Sequence, residues 1–191
     1  NEMIKIPLDP MLDAKANAQK YFDKYNKLKR TYEALTDLTA ETRAEIEHLE
    51  SIATSLDIAL TEDDLVQIKE ELIEYGYIRR KRTDKKAKIK SKPFHYRSSD
   101  GYDIYVGKNN YQNEELTFKV ATGNDWWFHA KDLPGSHVIV KAENKELPDS
   151  TFEEAARLAA HYSKASKQEK VDVDYICLLY TSDAADDLIG V

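Results

Sequence analysis

The sequence predicts an α+β protein in which a long coiled-coil helical arm precedes a small α+β domain. Three observations carry this. Apolar residues recur at steps of four and three from Ala14 to Leu56, the spacing of a coiled-coil seam. After Phe94 the pattern changes to the period-two alternation of strands. A dense run of basic residues between Arg79 and Lys92 separates the two regimes.

The arm opens with Leu8-Asp9-Pro10 as an extended lead-in and Asp13 as the N-cap. Its seam runs Ala14, Ala18, Tyr21, Tyr25, Leu28, Tyr32, Leu35, Thr39, Thr42, Ile46, Leu49, Ala53 and Leu56. Thr39 and Thr42 are its weak points. At about 1.5 Å per residue the helix is roughly 65 Å long. A second helix follows, with Thr61 as N-cap, the acids Glu62, Asp63 and Asp64 at its positive end, and Gly76 as its stop. It reaches only about 20 Å and cannot cover the first. The seam therefore calls for a partner, either a helix upstream of Asn1 or a second copy of the chain. No chemistry is expected on the arm, and its seam tyrosines read as packing groups.

The basic run contains nine cations: Arg79, Arg80, Lys81, Arg82, Lys85, Lys86, Lys88, Lys90 and Lys92. Asp84 is its one acid, so the stretch carries about +8 and the rest of the chain about −15, although the net charge is only −7. It reads either as a solvated inter-domain linker or as a phosphate-contacting strip whose binding to RNA weakens with salt.

In the second region, Phe94–Arg97 and Tyr102–Val106 read as strands around a Ser98-Ser99-Asp100-Gly101 hairpin turn. Gly107-Lys108-Asn109-Asn110 is a polar loop. Glu114 to Val120 has helical spacing, with a short strand as the alternative. Trp126–Ala130 and His137–Val140 are two further strands joined by Lys131–Ser136. Asp149 or Ser150 caps a helix whose apolar face is Phe152, Ala155, Ala156, Ala159 and Tyr162, and Val171–Ile176 alternates as a last strand. The order β-β-α-β-β-α-β gives an α+β sandwich.

Composition narrows the function. With 191 residues, 41% apolar, 33% charged, 6 Gly and 5 Pro, the chain is neither collagenous, wholly disordered nor membrane-spanning by any long apolar run. Its single cysteine, Cys177, excludes an intrachain disulfide framework and a multi-cysteine zinc site. No basic n-region or apolar signal core opens it, and a start at Asn1 suggests a fragment of a longer protein. His95, His129, His137 and His161 lack the spacing of a metal site, so no metal and no cofactor is expected. Ser136, His137 and Asp125 could form a hydrolase triad on paper, but no nucleophile elbow accompanies them. What stands out is Asp125, Trp126, Trp127, His129, Lys131, Ser136 and His137 in one short stretch. Trp and His can stack on unpaired bases, while Lys, Ser and the amides of the Gly135 turn can hold phosphates.

Trp127-Phe128-His129-Ala130 followed by Pro134-Gly135-Ser136-His137-Val138, with Gly107-Lys108-Asn109-Asn110 upstream, resembles the RNA-binding (R) domain of NFACT proteins. Pro7-Leu8-Asp9-Pro10 and the run from Asn17 to Lys29 resemble the second arm of that family's middle coiled coil. The resemblance spans about Ile4 to Ile176. It implies a long antiparallel coiled-coil helical arm followed by a small α+β NFACT-R domain, divided as arm 1–78, basic linker 79–92, NFACT-R domain 93–176 and tail 177–191.

The resemblance also implies a function. Such proteins bind a large ribosomal subunit, through its rRNA, that still holds an obstructing peptidyl-tRNA. They recruit charged tRNA, alanyl-tRNA in bacteria, for mRNA-independent extension of the stalled chain. The ribosome carries the chemistry, so the protein is a cytoplasmic, non-enzymatic positioning factor with no membrane partner. Asn109, Asn110, Asp125, Trp127, His129, Lys131, Ser136 and His137 become the candidate RNA-facing or site-shaping residues. Arg79, Arg80, Lys81, Arg82, Lys85 and Lys86 are added by electrostatics alone.

Two departures accompany the resemblance. The family's N-terminal domain, helix-hairpin-helix segment and first coiled-coil arm, the missing partner helix, are absent. From Cys177 the string Cys177-Leu178-Leu179-Tyr180-Thr181-Ser182-Asp183-Ala184-Ala185-Asp186-Asp187 resembles a translated sequencing adapter and is read as a non-native tail. Three function classes follow in order: a ribosome- and tRNA-binding quality-control factor, a fibronectin-binding adhesin, and a hydrolase using Ser136 or His137.

Overall fold

A computed structural model describes residues 4–81, 90–143 and 145–178. Arg82, Lys85, Lys86 and Lys88 of the basic run, and the tail from 179, lie outside the described residues. The chain divides into two compact units between Ile46 and Glu47.

In the first unit the lead-in folds onto the start of helix α1 (Ala14–Ile58) through one buried asparagine. Asn17 accepts from the Asp9 amide at 2.8 Å and donates to the carbonyls of Asp9 and Leu12, each at 3.0 Å. Asp13 caps the helix by accepting from Ala16 N at 2.6 Å. The seam residues Tyr25, Leu28, Tyr32 and Leu35 are exposed, Tyr32 by 73%.

In the second unit, α2 (Glu62–Glu74) begins with a reciprocal capping box between Thr61 and Asp64. It ends at Gly76, whose φ of +80° lets Gly76 N reach Ile73 O and Tyr77 N reach Leu72 O, the paired bonds of a Schellman stop.

Strands β1 (Phe94–Arg97), β2 (Asp103–Val106), β3 (Asp125–Ala130), β4 (Val138–Val140) and β5 (Val173–Leu178) form one antiparallel sheet in the order β1-β2-β4-β3-β5. One face packs on α4 (Asp149–His161): Ile104, Val106, Phe128, Val138 and Val140 meet Ala155 and Ala159, whose small side chains let helix and sheet approach. The register sets Trp127 between Ile139 of β4 and Ile176 of β5 on the opposite face. There α3 (Asn110–Glu115) runs into a π-helical turn over Leu116–Val120, which contacts β4.

The helix read as 114–120 thus starts four residues earlier, because Asn109 is an N-cap and not a loop residue. Neither Asp149 nor Ser150 caps α4; Pro148 occupies the cap position, and Ser150 and Thr151 donate instead to Asp100 Oδ2 at 2.5 and 2.7 Å. The last strand starts at Val173 rather than Val171 and takes in Cys177 and Leu178, the latter opposite Asp125.

Candidate nucleic-acid interface

The predicted residues fall into three places. Asn109 and Asn110 belong to a buried polar clamp on α2. Lys108 Nζ lies 3.0 and 3.3 Å from the two carboxylate oxygens of Asp64, and 4.5 Å from the Phe94 ring centroid. Gln67 Oε1 accepts from Asn109 Nδ2 at 2.9 Å and Gln112 Nε2 at 2.8 Å, while Asn109 Oδ1 caps α3 through Gln112 N. Asn110 donates to Ser51 Oγ at 2.8 Å and to Glu71 Oε1 at 2.6 Å, the oxygen that also lies 3.1 Å from His48 Nε2. Burial alone would raise the Asp64 pKa, but hydrogen bonds from Ser91, Lys108, the Leu60 amide and Thr61 bring it down to about 2. These two asparagines shape the domain and hold it to α2.

The described ends of the basic run are tied to the same helix. Arg80 donates to Glu70, with Nη1 to Oε1 at 3.0 Å, and the Ser91 hydroxyl donates to Asp64 Oδ1 at 2.5 Å. Arg79 and Lys81 are exposed.

Asp125, at the start of β3, is buried. It accepts from Thr122 N and Oγ1 at 2.8 and 3.0 Å, from Ala142 N at 3.0 Å and from Lys141 Nζ. It locks the turn in which Asn124 adopts a φ of +69°.

Trp127, His129 and His137 do come together. Trp127 and His129 stack with centroids 5.6 Å apart at 25°, and His137 stands edge-on to both at 5.1 and 5.3 Å. His137 is held by Thr117 Oγ1, 2.8 Å from its Nδ1, and by its own amide donating to Asn113 Oδ1 at 2.9 Å. Asn113 in turn donates to Gly135 O at 3.1 Å. Gly107 is required here, since a Cβ on it would lie 2.2 Å from Asn113 Oδ1. Burial lowers the pKa of both histidines; for His137, with His129 adding to the effect, it falls to about 4. Both rings are therefore neutral at pH 7.

Lys131 is exposed just beyond β3. Ser136 is buried, with its amide donating to Tyr162 O at 2.9 Å and its Oγ without a partner among the described residues. The amides of Ser136 and His137 are thus committed internally and are not open to a phosphate. A Ser–His–Asp relay does not assemble either: His137 Nδ1 faces Thr117, and Asp125 is engaged by Thr122, Lys141 and Ala142. Among the described residues no group of three or more His, Cys, Asp or Glu is placed to hold a metal. No described helix is long and apolar enough to cross a membrane.

Asn113, Thr117, Gln112 and Lys108 hold the predicted residues in place, and sequence reasoning did not assign them that part. The only available signal was the Asn109-x-x-Gln112 spacing of a helix cap, which the polar Gly107–Asn110 loop reading obscured.

The second unit is thus an antiparallel sheet with α4 on one face and an aromatic cluster on the other. Residues 1–91 match the family model described as NFACT N-terminal and middle domains, and residues 92–180 match the NFACT protein RNA binding domain. The chain belongs to the NFACT family. It is 48% identical over 177 residues to the Rqc2 homolog RqcH of Streptococcus pneumoniae strain D39, covering 92% of this chain and 32% of that protein. It is 41% identical to the Rqc2 homolog RqcH of Bacillus subtilis strain 168, covering 90% and 30%. The C-terminal structure of the fibronectin/fibrinogen-binding protein from Streptococcus suis superposes with a TM-score of 0.78 at 46% identity, covering 87% of this chain and 66% of that one. The chain spans about a third of the length of the curated relatives it matches.

Proposed function

We propose that this chain is the arm-and-R-domain portion of a ribosome-associated quality-control factor. Such a factor binds a large ribosomal subunit obstructed by peptidyl-tRNA and recruits alanyl-tRNA for mRNA-independent C-terminal tailing of the stalled chain. The observation that carries this is the collinear match to both NFACT models together with 48% identity to a protein named Rqc2 homolog RqcH. In this reading the protein positions RNA in the cytoplasm and the ribosome supplies peptidyl transfer. Trp127, His129 and His137 form the RNA-facing surface, with Lys131 at its rim. Asn109, Asn110, Asp125 and Ser136 shape it. Arg79, Arg80, Lys81, Arg82, Lys85 and Lys86 supply sequence-independent attraction to phosphates. The division into arm 1–78, linker 79–92, RNA-binding domain 93–176 and tail 177–191 belongs to the same reading, and resequencing the locus without adapters tests the tail.

Purification of ribosomal subunits with the intact parent protein, followed by sequencing of the bound RNA, tests the proposal. Enrichment of large-subunit rRNA and alanine tRNA is the expected result; uniform background would sink it. Similarity to the fibronectin/fibrinogen-binding protein of S. suis favours a second reading, a cell-surface fibronectin-binding adhesin. Saturable binding of the intact protein to immobilised fibronectin, with no RNA enrichment, would select that reading.

A further inference from the structure

The Trp127–His129–His137 surface differs chemically from the rest of the interface. Its rings are neutral, since burial depresses both histidines. The Trp127 indole N–H is buried without a partner among the described residues, while the residue as a whole is half-buried. The nearby amides of Ser136, His137 and Lys131 are taken by Tyr162 O, Asn113 Oδ1 and Asp172 O. The register also sets exposed Asp174 directly opposite His129, and its charge repels phosphate. Beside Trp127 the surface continues as Ile176, 55% exposed and apolar.

Resting on the RNA-binding reading above, we infer that this sheet face seats an unpaired nucleobase of an RNA strand, stacked on Trp127, while the phosphates run along cations outside it. A flat aromatic face cannot reach the base edges of an A-form duplex, whose major groove is deep and narrow, whereas a splayed single-stranded base offers its whole π face. The neutral imidazoles of His129 and His137 border that ring without adding positive charge. Exposed Lys131, two residues beyond His129, is the described cation nearest in sequence for the adjoining phosphate.

The test uses the full chain and two fluorescein-labelled probes of one sequence, an unstructured RNA of about 12 nucleotides and its blunt duplex, read by anisotropy across a salt series. The single strand should bind more tightly than the duplex. Trp127→Ala should weaken single-strand binding by about 10- to 100-fold and leave duplex binding unchanged, and Trp127→Phe should restore most of the loss. Lys131→Ala should reduce the salt slope by about one and keep the preference for single strands. Circular dichroism checks the fold of each variant. Independently, Trp126→Phe leaves Trp127 as the sole tryptophan, and its fluorescence should be quenched by the single strand and not by the duplex. Equal binding of both probes, or no effect of Trp127→Ala with unquenched fluorescence, overturns the base seat while leaving RNA binding intact. Absence of binding to either probe overturns the RNA-binding reading itself.

Discussion

Two helical regions of this chain break the inside–outside rule in opposite directions. On α1, Tyr25, Leu28, Tyr32 and Leu35 are exposed, although their spacing is that of a buried seam. On α2, Asp64, Gln67, Glu70 and Glu71 are buried, although their composition is that of a solvated face. The hydrophobic pattern of α1 records a surface suited to covering by another helix, which the described residues do not provide. Most of the buried polar atoms of α2 are met by partners from elsewhere in the chain. Lys108 and Ser91 reach Asp64, Asn109 and Gln112 reach Gln67, Asn110 reaches Glu71 Oε1 and Arg80 reaches Glu70, while Glu71 Oε2 has no partner among the described residues. Polarity alone therefore predicts neither exposure nor burial; available partners do.

The comparison can be broken most sharply at Lys108. Lys108→Met strands the Asp64 carboxylate in a buried site and should cost about 3–5 kcal/mol, measured by urea denaturation. Adding Asp64→Asn should recover more than half of that loss. A cost below about 1 kcal/mol would mean that the clamp contributes little.

A pH series separates the clamp from the aromatic cluster. Asp64 has a folded pKa of about 2, below its usual 3.8, so its contribution is present above about pH 4 and is lost as pH falls towards 2. His137 has a folded pKa of about 4, below its usual 6.5. The unfolded chain then binds the extra proton, so stability should fall from about pH 6.5 to about pH 4 and level off below. His137→Gln should shrink the upper window, leaving the part that His129 contributes, and Asp64→Asn should shrink the lower one, both read from denaturation midpoints.

Asn109→Ala removes the α3 cap and the bond to Gln67 together and should cost about 1–2 kcal/mol by thermal unfolding. At the other extreme, Leu28→Glu or Leu35→Glu on the exposed seam should change stability by less than about 0.5 kcal/mol. The same substitutions should abolish any self-association seen by sedimentation. A large destabilisation by either would show that the seam is already covered.

Much of the fold was legible. The four-and-three spacing located α1, Asp13 and Thr61 marked helix starts, Gly76 marked a stop, and alternation placed β1, β3 and β4 to within a residue. These signals are local: a cap, a left-handed glycine and a pleat each act within a few residues. The candidate site was half legible. Trp127, His129 and His137 share a strand or its neighbour, so alternation already hinted at a common face. The roles of Asn109, Asn110 and Asp125 were hidden, because their partners Gln67, Glu71 and Lys141 lie far along the chain and no short-range pattern ties them together.

By itself the sequence determined a long helix with an apolar seam, a helix that starts and stops at named caps, and an alternating α+β region beyond a basic run. Only the tertiary structure decided that Lys108, Asn109 and Asn110 are bound to α2 or its neighbour, that the amides of Ser136 and His137 are already spent, and that two histidines stay neutral beside a tryptophan. The physical reason is the range of the forces involved. Backbone propensity and capping act between near neighbours. Desolvation and the partnering of buried polar groups depend on what the fold brings close from elsewhere.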